Sequence, residues 1–335
     1  MDKIELGKSG LKVAPWAFGG NVFGWTVDEA TGFKLLDAFV DAGFNLIDSA
    51  DVYSRWVPGH TGGESETAIG SWLAQGGGRR EKVIIATKLG MDMPEGKGLS
   101  RKYMMTAVDR SLQRLKTDYI DLYQSHRDDE ETPLEETLSA YGELIKAGKV
   151  RAIGASNYQA PRLAEALKLS ADKGLPRYET LQPWYNLYDR DTFEGPLQDL
   201  CKREGLGVIP YFGLASGFLT GKYRTKEDLH GPRAYRAGDM LNPRGLRILA
   251  ALDEVGGRID ATPAQVSLAW LRAKGAVPIA SATSLTQLQE LAKSAGVSLD
   301  TAAVAALDKA SEFGPGEEPV RTPPPQQRAR TAAAE

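Results

Sequence analysis

The chain has 335 residues, 42% of them hydrophobic, and carries 41 basic against 44 acidic side chains for a net charge of −3. That size can bury one large core, so a single barrel and two smaller domains both satisfy it. The near balance of charge excludes an overall positive field for nucleic acid or an anionic membrane, and no apolar run nears the roughly 20 residues that span a bilayer.

The start, MDKIELGKSGLKV, lacks an apolar leader segment, and a lone Cys201 cannot build an internal disulfide framework. The expectation is a cytoplasmic protein with Cys201 as a small buried residue. In chain order the apolar runs are KVAPWAF, FNLIDS, KVIIAT, YIDLYQ, VRAIGA, ETLQP, GVIPY and AVPIA, eight in all. Between many of them lies an amphipathic helical pattern closed by a glycine able to take the left-handed conformation, as at Gly43, Gly148, Gly205 and Gly275. In SRKYMMTAVDRSLQRLK, Met104, Val108, Leu112 and Leu115 share one helix face, and Ser100 is placed to cap it.

Eight strands alternating with helices predict an α/β fold, a (β/α)8 TIM barrel, over residues 1–312. An open doubly wound sheet would want a Gly-rich dinucleotide turn after an early strand, and FGGNVFG has the wrong spacing for one. Two segments leave the pattern. A long connection follows the seventh run from Phe212 to about Met240, and residues 313–335, rich in Pro and polar side chains, predict a disordered tail.

A barrel gathers the residues that follow its strands on one face. Here these are Asp48, Lys88, His126, Ser156, Asn157, Gln182 and Tyr211. Asp48 and Lys88 are able to neutralise each other, and a plain polar rim is the alternative. With His60, His126 and His230 as the only histidines and no His-x-His, a metal-dependent barrel hydrolase lacks its ligands, so no metal is expected.

The segments FNLIDSADVYS, GESETAIGSWLA, VIIATKLG, SLQRLKTDYIDLYQSH, IKAGKVRAIGASNY, LQPWYNLYDR and YFGLASGFLTGKY, in this order, resemble the aldo-keto reductase superfamily, in bacterial branches that also resemble potassium-channel β-subunits. The resemblance runs from Leu6 to Ala310. It implies a catalytic set of Asp48, Tyr53, Lys88 and His126, with Tyr53 giving a proton to a carbonyl oxygen and Lys88 lowering the Tyr53 pKa. It implies that Gly20 and Asp48 lie beside a nicotinamide cofactor, that Ser156, Asn157 and Gln182 bind its carboxamide, and that Tyr211 stacks on the ring. Gly213, Leu214, Ser216 and Gly217 would meet the pyrophosphate with backbone N–H groups, Lys222 would add charge, and Ser281, Thr283 and Gln287 would face the adenosine.

NADP(H) is the cofactor the resemblance implies, with NAD(H) open. The usual cation after the last strand is missing before Lys293, and Leu291 stands where an asparagine is frequent. Arg233 or Arg236 of the long connection is a candidate replacement. Phe23, Trp25, Trp56, Arg127 and Trp184 are the expected substrate walls, suited to an aromatic or polycyclic carbonyl or alcohol compound. The rival reading is a cofactor-sensing module with little turnover, like a channel β-subunit.

Overall fold

A computed structural model describes residues 2–231 and 234–320. Arg233 and residues 321–335 of the expected tail lie outside the described residues. The chain opens with an antiparallel hairpin, β1 (Ile4–Glu5) and β2 (Lys12–Val13). Eight parallel strands follow: β3 (Ala17–Gly19), β4 (Leu46–Asp48), β5 (Ile84–Leu89), β6 (Ile120–Ser125), β7 (Val150–Ser156), β8 (Tyr178–Gln182), β9 (Gly207–Val208) and β10 (Ile279–Ala280). They pair in the order β10-β3-β4-β5-β6-β7-β8-β9. The ring closes where Val277 N donates to the Val208 carbonyl at 2.8 Å and Ile279 N to that of Pro210 at 3.0 Å.

Outside the ring lie α1 (Glu29–Asp41), α2 (Glu64–Leu73), α3 (Arg79–Lys82), α4 (Arg101–Leu115), α5 (Leu134–Lys146), α6 (Ala160–Lys173), α7 (Pro196–Glu204), α8 (Ala234–Met240), α9 (Pro243–Ile259), α10 (Pro263–Ala273), α11 (Leu285–Lys293) and α12 (Thr301–Ser311). Ser100 caps α4 as expected, accepting from Tyr103 N. Cys201 is buried in α7, where desolvation pushes its thiol up to about 12.

Two expectations need correcting. The first apolar run is not one strand: Lys12–Val13 joins the hairpin and only Ala17–Gly19 enters the ring. Pro15 between them has no N–H to give a ladder. The long connection also ends in helix, since α8 occupies Ala234–Met240 and short 3-10 turns cover Ala215–Thr220 and Lys226–Asp228. Beyond α12, Phe313 lies under the Arg244 guanidinium and Glu317 pairs with Arg247.

Inside the ring a closed apolar cluster includes Leu46, Ile84, Ala86, Leu122, Ala152, Val277 and Ile279, and Leu6, Leu11 and Val13 of the hairpin plug its lower end. Asn45 ties this plug down, accepting from Ala14 N at 2.8 Å and donating to the Lys12 carbonyl at 2.9 Å. Gly7 is required there: it has φ +63°, and a Cβ would lie 2.2 Å from the Glu179 carbonyl oxygen. Because side chains alternate along a strand, Leu46, Ala86, Leu122 and Thr180 are followed two residues later by Asp48, Lys88, Gln124 and Gln182. A layer that is apolar but for Thr180 thus carries a polar top layer. Leu122→Ala should cost about 2–5 kcal/mol, seen as a lower urea midpoint with an unchanged slope.

Candidate active site

Lys88 is fully buried on β5, and its three ammonium protons have three acceptors. Nζ lies 2.7 Å from Asp48 Oδ2, 2.7 Å from the Ser49 carbonyl and 2.9 Å from Tyr53 Oη. Asp48 Oδ1 in turn accepts from Gln182 Nε2 at 2.8 Å and Gln124 Nε2 at 3.4 Å. A buried ion pair is tolerable only when its remaining lone pairs are satisfied in this way. The expected Asp48–Lys88 neutralisation is therefore present. Gln124 was not anticipated; the available signal was a polar residue two places before His126, on the inward face of an apolar strand.

Tyr53 reaches the pair from the turn after β4, five residues beyond Asp48. Ser54 holds that turn with φ +72° and donates from Oγ to the Phe23 carbonyl at 2.6 Å. The expected lowering of the Tyr53 pKa is not what these surroundings produce. Burial, then the adjacent Asp48 carboxylate, push the phenol well above its ordinary value. Burial also draws Lys88 down, with Asp48 pulling against it. His126 starts the loop after β6, its N–H on the Leu89 carbonyl at 2.8 Å and its ring 6.0 Å from that of Tyr53. Burial, Lys88 and Arg127 hold it well below the usual histidine value, and Nδ1 has no hydrogen-bond partner. The arrangement therefore sets a protonated phenol beside an ammonium and a neutral imidazole, which suits proton donation to a developing oxyanion.

A hydrogen-bonded arc joins the next strand ends. Ser156 Oγ donates to the Gln182 carbonyl at 2.9 Å, Asn157 Nδ2 donates to the His126 carbonyl at 2.9 Å, and Tyr211 Oη donates to Asn157 Oδ1 at 2.7 Å. Gln182 Nε2 is committed to Asp48, so what this side chain offers a carboxamide is its Oε1. Gly20 packs behind the site, where a Cβ would be 3.0 Å from the Asp48 carbonyl oxygen and from Ser65 Oγ.

The loop after β9 bears on the fit of a dinucleotide. Phe212, Ala215, Ser216 and Gly217 all have positive φ, a backbone of the kind that gathers N–H groups around an anion. Gly213 lets it lie against β10, since a Cβ would be 3.1 Å from Leu271 Cδ1 and 3.2 Å from the Ile279 carbonyl oxygen. Leu214 belongs to the same turn, its carbonyl accepting from Gly217 N at 2.8 Å. Lys222 crosses it at Gly217, where a Cβ would come within 3.2 Å of Nζ. These residues fit a nicotinamide dinucleotide's amide and pyrophosphate. At the far end Ser281 Oγ donates to Asn21 Oδ1 at 2.7 Å, and Gln287 Oε1 accepts from Thr283 N and Oγ1, each at 2.9 Å. Arg236 does not serve as a loose cation: it is 1% exposed, bound to both Asp189 oxygens and laid over the Trp184 ring at 4.3 Å.

Of the five expected wall residues the structure brings Trp25 and Trp56 together edge-on at 5.7 Å, with Trp56 6.0 Å from the Tyr53 ring. Trp184 lies near Tyr211 and Phe212 and is fixed by donating Nε1 to Asp189 at 2.8 Å. Arg127 is exposed beside His126. Phe23 is a correction: it is buried and stacked on Phe18 at 5.4 Å, part of the core between ring and helices.

The model of the family described as "Aldo/keto reductase family" matches residues 15–312. Similar chains include the uncharacterized oxidoreductase YrpG of Bacillus subtilis, 34% identical over 90% of this chain and 93% of its own. The aldo-keto reductase dtxS3 of Metarhizium robertsii is 33% identical over 89% and 88% respectively. A protein of Arabidopsis thaliana named "Probable voltage-gated potassium channel subunit beta" is 33% identical over 89% and 92%.

The electrostatics of His126 predict a pH effect on stability. Its folded pKa is depressed, so the unfolded chain binds the extra proton first and stability falls as pH drops below about 6.5. Compared with His126→Gln by urea unfolding between neutral pH and mild acid, the wild type should lose stability more steeply, by up to about 1.4 kcal/mol per pH unit for one proton.

Proposed function

The chain belongs to the aldo/keto reductase family, and on that footing we propose that it is a nicotinamide-dependent reductase converting aldehydes or ketones to alcohols. The observation that carries this reading is the contact of Tyr53 Oη with a buried ammonium at 2.9 Å, backed by Asp48 at 2.7 Å. The bound reduced nicotinamide supplies the hydride. Tyr53 Oη, held protonated by burial and by Asp48, hydrogen-bonds the substrate carbonyl oxygen and transfers its proton to it as negative charge builds there. Lys88 then stabilises the phenolate left on Tyr53, and Asp48 keeps Lys88 charged and in place. His126, neutral and next to Tyr53, orients the same oxygen.

Ser156, Asn157 and Gln182 bind the carboxamide, Tyr211 packs on the ring, and the Gly213–Gly217 turn with Lys222 takes the pyrophosphate. Ser281, Thr283 and Gln287 meet the adenosine of NADP(H), with NAD(H) as the alternative because hydroxyls and amides lack the charge-assisted grip of a guanidinium. The paired indoles of Trp25 and Trp56 support an aromatic substrate. The single cysteine is in keeping with a cytoplasmic location. A relative named as a channel β-subunit keeps a cofactor-sensing role in view, and measurable turnover discriminates the two.

Tyr53→Phe should lower kcat by roughly a hundred- to ten-thousand-fold while cofactor affinity, read by tryptophan fluorescence, stays within a few-fold. Parallel loss of affinity would argue against the assigned role. Thr283→Arg should tighten NADP(H) relative to NAD(H) by about tenfold; unchanged discrimination would place the phosphate elsewhere.

A further inference from the structure

Arg127 follows His126 directly, and its side chain is 48% exposed at the mouth of the ring. Its closest carboxylate, Asp92, is 3.9 Å away, too far for a hydrogen bond. The acids next to it in sequence are committed elsewhere. Asp128 accepts from Arg162 Nε at 2.9 Å, and Asp129 accepts from Leu99 N and Thr132 Oγ1, each at 2.7 Å.

A second guanidinium reaches the same place. Arg55, one residue before Trp56, donates to the Asp92 carbonyl and so fastens the Tyr53–Trp56 turn to the loop after β5. The sector over β4, β5 and β6 therefore combines two indoles edge-on, the Tyr53 phenol and the guanidinium groups of Arg55 and Arg127. Both Lys88 and Arg127 already disfavour a positive charge on His126. A flat ring against Trp25 and Trp56, with its carbonyl at Tyr53, would carry a further substituent toward the Arg127 guanidinium.

Resting on the reductase reading above, we propose that the substrate is an aryl aldehyde or ketone carrying a carboxylate, and that Arg127 is the specificity-determining residue that binds the carboxylate. Among the described residues the Arg127 guanidinium makes no side-chain hydrogen bond, and a planar guanidinium matches a carboxylate in two parallel ones. An uncharged aryl aldehyde would use the same ring wall and leave Arg127 to solvent.

The test is steady-state reduction of benzaldehyde and 4-carboxybenzaldehyde by the full chain with its nicotinamide cofactor, scored as the ratio of their kcat/KM values. The wild type should favour the carboxylate by about tenfold or more. Arg127→Gln should bring that ratio near unity and Arg127→Lys should retain part of it, the charge being kept and the fork lost. Arg203→Gln, an equal loss of charge on α7 at the opposite end of the ring, should leave it unchanged. A wild-type ratio near one, or the same ratio in Arg127→Gln, overturns the proposal.

If neither aldehyde is reduced, the reductase reading is what fails. The anion site is then read from quenching of tryptophan fluorescence by 4-(hydroxymethyl)benzoate and by benzyl alcohol. Tighter binding of the carboxylate, lost in Arg127→Gln, supports the proposal, and equal binding overturns it.

Discussion

A buried ammonium has to find an acceptor for each of its protons, and the upper end of this ring is organised around that requirement at Lys88. The nearest acceptors come from three places in the chain close to each other in sequence: the Asp48 carboxylate, the Ser49 carbonyl and the Tyr53 hydroxyl. Satisfying the lysine therefore fixes the turn between Asp48 and Tyr53. Satisfying the carboxylate then recruits Gln124 and Gln182 from other strands. One desolvated charge thus ties together four strands, Lys88 standing level with Gln124 while Asp48 and Gln182 are offset by two residues from them in the staggered ring.

The outer face of β5 supports the same residue. Thr87 points away from the ring and donates to Glu66 Oε1 at 2.5 Å, while Glu66 Oε2 accepts from Arg114 Nε at 2.7 Å, linking α2 and α4 to the strand beside Lys88. Asp51 lies on the same turn as Tyr53, and burial together with Glu66 pushes its carboxyl well above the usual carboxylate range.

Much of this was legible in the sequence. Apolar runs after left-handed glycines marked the strands because a helix cap and a strand start are both local events. Strand ends marked Asp48, Lys88 and His126 because a barrel collects such ends on one face. Other features depended on distant residues. Arg236 looks free in the sequence until Asp189, 47 positions away, takes its guanidinium. Phe23 reads as a loop aromatic until Phe18 and the backs of the helices enclose it. Gln124 is hidden by an apolar strand, and the direction of the Tyr53 shift depends on whether burial and Asp48 outweigh Lys88, a balance that spacing does not encode.

The central claim is that Asp48 and Lys88 act as one unit on Tyr53. The most direct measurement is a double-mutant cycle on kcat for aldehyde reduction, using Asp48→Asn, Lys88→Met and the double variant. The account predicts that the double variant is about as slow as the slower single one, because removing either partner already releases Tyr53 from its ammonium. Losses that simply multiply would mean that the two residues act independently, and would contradict it.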